Sequence, residues 1–88
     1  MKFALATPAM NTYPAAMAPW ESNAGGAEVV RYARKADALG WDWLTLSEHL
    51  VMPTEMKEMM GARWCESTAV AGVLMGATQR IHMLTYIL

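Results

Sequence analysis

Residues 28–47 read EVVRYARKADALGWDWLTLS, a helical pattern that runs directly into a strand pattern. Apolar side chains recur at the helical period in the first part of this stretch, and Val29, Ala33 and Ala36 share one face. Gly40 follows where a left-handed residue is expected to end the helix. Residues 41–47, WDWLTLS, combine aromatic and branched residues and predict a buried strand. The sequence therefore predicts a helix that is followed by a strand after only a few residues.

The remaining sequence extends this unit in both directions. Residues 2–7, KFALAT, are apolar and stopped by Pro8, which predicts a first strand. Residues 66–78, ESTAVAGVLMGAT, predict a second helix that is capped by Glu66 or Ser67 and apolar on nearly all sides. Residues 81–88, IHMLTYIL, predict a third strand. Alternating strands and helices favour parallel pairing through right-handed crossovers, and the fold class is α/β.

The predicted connections differ strongly in length. Residues 8–26 and 50–65 join strands to the helices that follow, whereas each helix reaches its next strand almost at once. In a parallel sheet all strand-to-helix connections meet at the carboxyl edge, where the active sites of α/β proteins are found. We therefore expect the functional site at that edge. Gly72 and Gly76 are expected to let the second helix approach the sheet closely.

Composition excludes several classes of protein. The chain has 88 residues, 55% of them hydrophobic and 17% charged, which argues against intrinsic disorder. A net charge of -1 provides no basic surface for nucleic acid or anionic membranes. Cys65 is the one cysteine and has no partner for an internal disulfide. Thr7 and Pro8 interrupt the first apolar run, so no secretory leader and no membrane span are expected. We predict a cytoplasmic protein.

Three parallel strands with two helices leave sheet surface uncovered. At least one edge lacks a neighbour and one face is poorly covered. A (β/α)8 TIM barrel needs about 250 residues. We therefore interpret residues 1–88 as the incomplete N-terminal β-α-β-α-β portion of such a barrel, and we expect this portion to be inactive alone.

The run Ser47-Glu48-His49 follows the second predicted strand and holds the strongest candidate for catalysis. An imidazole at the carboxyl end of a barrel strand can exchange protons with a bound group near neutral pH. The alternative is a histidine that only binds a neighbouring loop. Glu48, His49, Cys65 and His82 could also be combined into a metal site, but their spacing matches no metal motif. Cys65 is expected to pack passively.

Aromatic and methionine side chains in the two long connections suggest an apolar pocket. Tyr13, Trp20 and Trp64 could stack on a planar cofactor or line the site of an apolar substrate. Met52 belongs to a group of methionines that either lines this pocket or packs against the barrel top. Gly25-Gly26 lacks the further glycine and lysine of a phosphate-binding loop.

Three stretches resemble the N-terminal part of the luciferase-like monooxygenases, which are flavin- or F420-dependent oxidoreductases. They are MKFALATP, GGAEVVRYARKADALGWDWLTLSEHLVMP and ATQRIHMLTYIL, and together they span nearly the whole chain. The most specific piece is the helix-Gly-aromatic-Asp strand that ends in Ser-Glu-His. The resemblance implies a TIM barrel that binds FMN or coenzyme F420 at the carboxyl ends of its strands.

The resemblance also implies roles for individual residues. His49 would line the pocket beside the cofactor ring, with Ser47 and Glu48 supporting it. Thr85, Tyr86 and Ile87 would lie behind the ring, where family members often carry a non-prolyl cis peptide and a bulge. The bulky Tyr86 departs from the small residue that many relatives have there. An organic small molecule would be the substrate, together with O2 in the FMN variant, and the full-length protein would be a homodimer.

Two other functions stay open. The chain could be a non-catalytic interaction fragment that uses its open sheet edge and its methionines to bind a partner. It could also belong to a metal-dependent TIM-barrel hydrolase that uses His49.

Overall fold

The computed structural model describes residues 1–10, 17–47, 53–56 and 65–85. Its helices and strands follow the predicted order: β1 (Ala4–Ala6), α1 (Gly26–Ala38), β2 (Trp43–Leu46), α2 (Ser67–Ala77) and β3 (His82–Thr85). A 3-10 helix, Pro19–Asn23, precedes α1, and a second, Thr54–Met56, lies between β2 and α2. The described strands are shorter than predicted, and neither 3-10 helix was expected.

The three strands form one parallel sheet in the order β1-β2-β3. Ala4, Trp43 and His82 lie side by side in register. The central strand β2 therefore supplies the hydrogen-bonding partners of both neighbours. This confirms the predicted α/β class and the parallel β-α-β-α-β arrangement.

Both helices pack on the same face of this sheet. Leu44 and Leu46 of β2 are fully buried, whereas Trp43 and Thr45, which alternate with them, are only half-buried. The buried side chains of both helices join these two leucines in one hydrophobic core, to which α1 contributes Val29, Ala33 and Ala36 and α2 contributes Leu74. Burying a leucine side chain contributes roughly 1.5–3 kcal/mol. The face of β2 that carries Leu44 therefore fixes both helices.

The opposite face of the sheet carries no helix among the described residues. Strand alternation and the register place on this open face Ala4, Ala6, Trp43, Thr45, His82 and Leu84. Ala6 and Leu84 are exposed. The rings of Trp43 and His82 contact each other with centroids 5.0 Å apart. The open face is apolar or aromatic at most positions, and such a surface is normally covered by further structure.

Local signals set the ends of the helices. Gly40 adopts φ of 92°, which confirms the predicted left-handed end of α1 and is a conformation that side chains with a Cβ disfavour. The Trp41 amide donates a hydrogen bond to the Ala36 carbonyl across this turn. At the helix starts, the Glu28 carboxylate accepts from the Gly25 amide and the Glu66 carboxylate accepts from the Ala69 amide, each at 2.7 Å.

Aspartates fasten the amino-terminal edge of the sheet. The Asp37 carboxylate accepts hydrogen bonds from the backbone amides of Gln79, Arg80 and Ile81 at 2.8–3.2 Å. The Arg80 guanidinium donates to the Asp37 carbonyl at 2.7 Å. The turn into β3 is thereby tied to the end of α1. Asp42 acts similarly on β1, because its carboxylate accepts from the Phe3 amide at 2.9 Å.

The expected role of the glycines in α2 is wrong. Gly72 and Gly76 are exposed, and a Cβ built on either would meet nothing within 4 Å in the described part of the protein. Leu74, which lies between them, turns to the sheet instead and is fully buried. None of the helices in the described ranges has the length and apolarity needed to cross a bilayer.

Asp37 provides a test of how the turn into β3 is held. Donation from the Gln79 amide, followed by the Ile81 and Arg80 amides, lowers the pKa of the Asp37 carboxyl against an opposing effect of burial. A lowered folded-state pKa stabilises the fold above the ordinary aspartate pKa, and this contribution is lost as the pH falls through the lowered value. Asp37→Asn should therefore lower the unfolding temperature at pH 7 by several degrees.

Thermal unfolding followed by circular dichroism at pH 7 and at pH 2 to 3 measures this effect. The difference between wild type and Asp37→Asn should shrink at the acid end. Glu55→Gln, at an exposed position in the second 3-10 helix, is the control and should leave the unfolding temperature unchanged at pH 7. Equal unfolding temperatures for wild type and Asp37→Asn at pH 7 would contradict the role given to Asp37.

Candidate functional site

The carboxyl edge of the sheet collects the long connections, as predicted. Residues 7–25 leave the end of β1 and residues 47–66 leave the end of β2, whereas residues 39–42 and 78–81 join the helices to the strands at the other edge. Ser47 follows β2 directly and is half-buried. By strand alternation it continues the open face of Trp43 and Thr45.

Thr85, the second described member of the predicted cofactor site, belongs to a different face. It pairs in register with Leu46, whose side chain is fully buried on the helix-covered face. Ser47 and Thr85 are therefore at the same edge of the sheet but not on the same side of it. Most of the other predicted site residues lie outside the described residues, namely Tyr13, Glu48, His49, Met52, Trp64, Tyr86 and Ile87.

Glu21 organises the described part of the β1–α1 connection. One oxygen of its carboxylate accepts from the Ala9 amide and the other accepts from the Ala18 amide, both at 2.7 Å. The Glu21 amide donates to the Ala18 carbonyl at 3.0 Å, so the pair is bonded in both directions. Hydrogen bonds to an ionised acceptor are among the stronger ones in proteins. Glu21 thus joins the 3-10 helix to the chain just beyond β1.

Ala9 and Met10 join the segment that follows β1 to the segment that leads into α2. The Cys65 amide donates to the Met10 carbonyl at 2.6 Å, and its thiol lies 3.7 Å from the Ala9 carbonyl. Ala9 adopts φ of 61°, a left-handed conformation that costs roughly 1–2 kcal/mol for a residue with a Cβ. Ala9 and Met10 are both buried. The strained residue is therefore held from two sides, by Glu21 and by the segment that leads into α2.

Trp20 is the one predicted pocket aromatic among the described residues. It precedes Glu21 in the 3-10 helix and is 51% exposed. Tyr32 of α1 is half-buried, and burial raises the pKa of its hydroxyl, with the charge of Glu21 adding to the rise. The exposed Trp20 indole is thus next in sequence to the Glu21 carboxylate, which accepts hydrogen bonds from two backbone amides.

A groove runs between α1 and α2 on the helix-covered side. It has a volume of about 320 Å³, and its lining is almost entirely apolar. Val30, Val73 and Cys65 belong to its lining. The half-buried thiol of Cys65 agrees with the packing role predicted for this residue.

The metal alternative gains no support from the described residues. His82 begins β3 at the amino-terminal edge, whereas Cys65 contacts the carboxyl edge through Ala9 and Met10. Within the described ranges no three histidine, cysteine, aspartate or glutamate side chains are placed to hold a metal ion. Glu48 and His49, the other two members of that set, lie outside the described residues.

Sequence reasoning missed Glu21 and Ala9. Pro19 at the start of a turn and a glutamate two positions later form a local signal for a capped helical turn, which could have identified the 3-10 helix. No sequence signal marks the left-handed conformation of Ala9, because the Ala9 amide donates to Glu21 and the Ala9 carbonyl accepts from Cys65, and both partners are distant in the chain.

The backbone of Ala9 gives a second prediction. Ala9→Val should reduce the free energy of unfolding by about 2 kcal/mol or more, since a branched side chain resists the left-handed region. Ala9→Gly should stay within about 1 kcal/mol of wild type, because relief of strain offsets the extra chain entropy of glycine. Denaturant titration measures both. Ala27→Val, exposed in α1, is the control for adding a branched residue. A similar small effect of Ala9→Val and Ala27→Val would contradict the assigned conformation.

Comparison of the chain with models of protein families, with curated proteins and with solved structures found no match.

Proposed function

We propose that this chain is the N-terminal part of a (β/α)8 barrel in a luciferase-like oxidoreductase that uses FMN or F420. The observation that carries the proposal is the combination of strand order and connection lengths. Successive strands are neighbours in one direction, both helices cover one face, and both long connections leave the carboxyl edge. A barrel repeats this arrangement around a closed ring. The sequence resemblance supplies the chemistry.

Strand order and the missing phosphate loop together favour the barrel over two other α/β architectures. A flavodoxin-like sheet has the order 2-1-3, which differs from the order found here. The first half of a dinucleotide-binding fold does share the order β1-β2-β3, but it carries a glycine-rich phosphate loop after its first strand. Gly25-Gly26 here lacks the rest of that pattern. The proposal assigns the open face, with Trp43 and Leu84, to the barrel interior.

Three described features support placing a planar redox cofactor at the carboxyl edge. Ala6 ends β1 on the open face beside Thr45, carries only a methyl group and is exposed. Ser47 contributes a hydroxyl group at the same edge and on the same face. The exposed indole of Trp20 lies in the connection that leaves β1. When bound, FMN would supply oxygen chemistry and F420 would supply hydride transfer.

The proposal gives each candidate residue a role. His49 would exchange a proton with the bound cofactor or substrate, and Ser47 and Glu48 would orient it. The backbone of residues 85–87 would support the cofactor ring, since the side chain of Thr85 belongs to the helix-covered face. Tyr13, Trp20, Met52 and Trp64 would line the site of an organic substrate. We propose a cytoplasmic homodimer for the full-length protein.

Sequencing beyond codon 88 and the absorbance of the protein purified from the full reading frame test this proposal. We expect five more strand–helix units and a bound or readily bound flavin or deazaflavin, which differ in their spectra. A stop codon after residue 88 would contradict the barrel and favour the interaction fragment. Stoichiometric zinc or iron in the purified protein would favour the hydrolase instead.

His49 gives a prediction about turnover. In the full-length protein, His49→Ala should lower kcat by about 100-fold or more if the imidazole acts as a general acid or base. The measurement is the steady-state rate of substrate oxidation. The assay contains whichever cofactor, FMN or F420, the absorbance spectrum identifies. His82→Ala is the matched control, because His82 lies at the opposite edge of the sheet. Equal kcat values for wild type and His49→Ala, with unchanged folding, would remove His49 from the mechanism.

A further inference from the structure

We propose that a second copy of this chain packs on the outer side of α2, with the two α2 helices antiparallel and in close contact at Gly72. This inference rests on the homodimer of the proposed function and gives that dimer a surface. It does not depend on the cofactor, because α2 covers the face of the sheet opposite to the open face.

The outer side of α2 exposes small and apolar residues. Thr68, Gly72 and Gly76 are all exposed and are spaced by four residues, which aligns them in one ridge along the helix. The ridge lies opposite Leu74, which is fully buried. Val73 flanks the ridge and is 58% exposed. All eleven residues of α2 are uncharged. A helix side that faces water normally carries charged residues, so this side has the composition of a contact surface.

The two glycines of the ridge are not required by the described fold. Glycine in a helix interior is less favourable than alanine, because it loses more conformational freedom on folding. Gly72 and Gly76 belong to a regular helix, and a Cβ at either position would meet nothing within 4 Å among the described residues. Glycine is useful where another backbone must approach closely. The ridge therefore fits a second helix lying directly against it.

The next helix of the proposed barrel would not cover this ridge. That helix would follow β3 and pack beside α2 on the side away from α1. Met75 is 64% exposed and lies about 200° around the helix from Val73, so the next helix would account for its exposure. Val73 lines the groove that α2 shares with α1. Val73 and the ridge therefore stay exposed in a completed barrel.

Charges at the two ends of α2 favour a second copy in the antiparallel direction. The exposed Glu66 begins the helix. At the other end the exposed Arg34 guanidinium donates to the Ala77 carbonyl at 3.3 Å, and the exposed Arg80 follows. A parallel pair would place like charges together at each end. An antiparallel pair places each acidic end beside a basic end of the partner and opposes the two helix dipoles. The surface is therefore complementary to itself.

A two-fold axis at Gly72 uses the whole length of α2. Gly72 is the sixth of the eleven residues, so an antiparallel pair that crosses there overlaps along the entire helix. The axis also keeps the groove side of one copy beside the groove side of the other. Val73 of each copy then lies next to the partner's groove, whose volume is about 320 Å³ and whose lining is almost entirely apolar. Such reciprocal contact is the property of a two-fold interface.

The size of a stable interface indicates that α1 takes part as well. A strip along α2 about 16 Å long and 10 Å wide is small against the roughly 800 Å² that each partner contributes to a standard interface. The groove and the neighbouring side of α1 extend the strip on the same face. The contact at Gly72 is therefore the centre of a larger interface, where close packing matters most.

Sedimentation of the full-length protein over a range of concentrations measures the dimer. We expect wild type to dimerise and Gly72→Leu to raise the dimer dissociation constant by about thirtyfold or more, the level of an interface hot spot. Gly72→Leu should keep the circular dichroism spectrum of wild type, because leucine favours a helix and has open space in the single chain. Lys35→Leu is the control, at an exposed position of α1 outside the groove lining, and should leave the dissociation constant unchanged.

Disulfide formation between copies tests the direction of the helices, and it also decides the matter if Gly72→Leu fails to fold. Cys65 and any later cysteine are replaced by serine. Gly72→Cys should form an intermolecular disulfide, because position 72 meets itself at the two-fold axis. Thr68→Cys should not, since antiparallel helices separate the two copies of position 68 by about 12 Å along the axis, which is too far for a disulfide.

The outcomes separate this inference from the proposed function. A dimer with the same dissociation constant in wild type and in folded Gly72→Leu would overturn the α2 contact and leave the homodimer in place. Absence of a disulfide in Gly72→Cys, or equal disulfide formation at positions 68 and 72, would also overturn it. A wild type that is monomeric at every concentration would overturn both the contact and the homodimer, while the absorbance of the bound cofactor would still test the oxidoreductase.

Discussion

The burial of Leu44 and Leu46 under two helices decides which side chains of the sheet face the helices and which face away. Both leucines belong to β2, the strand that pairs with β1 on one side and β3 on the other. Because side chains alternate along a strand, burying this pair on one face commits Trp43 and Thr45 to the other face. The register then assigns each residue of the outer strands to a face as well.

Carboxylates hold the segments that the core does not reach. Asp37 and Asp42 accept backbone amides at the amino-terminal edge, and Glu21 does so at the carboxyl edge. Glu28 and Glu66 perform the same task at the starts of the helices. In a chain with few charged residues, five of the acidic side chains thus satisfy backbone donors that would otherwise lack a partner within the fold. At the amino-terminal edge these hydrogen bonds hold short turns between helix and strand. At the carboxyl edge they hold part of a long connection.

Sequence patterns predicted the elements that depend on local signals. The period of the apolar residues in α1, the left-handed Gly40 and the parallel order all follow from short stretches of chain. The 3-10 helix at Pro19–Asn23 was missed although Pro19 and Glu21 mark it locally, and its attachment to Ala9 across the connection leaves no sequence signal. The glycines of α2 were misplaced because the helix is apolar on nearly all sides, so its pattern does not show which side faces the sheet. The opposed faces of Ser47 and Thr85 required the register between strands.

The proposed barrel requires that the open face of the sheet is covered in the full-length protein. Its test is the rate at which a cysteine at position 4 reacts with a water-soluble maleimide, in the full-length protein with Cys65 replaced by serine. Ala4 begins β1 on that face, at the edge away from the proposed cofactor site, and is exposed among the described residues. We expect Ala4→Cys to react at least about a hundred times more slowly than Ala27→Cys on the solvent side of α1, on the order of what a few kcal/mol of protection gives. Equal rates at the two positions would contradict it.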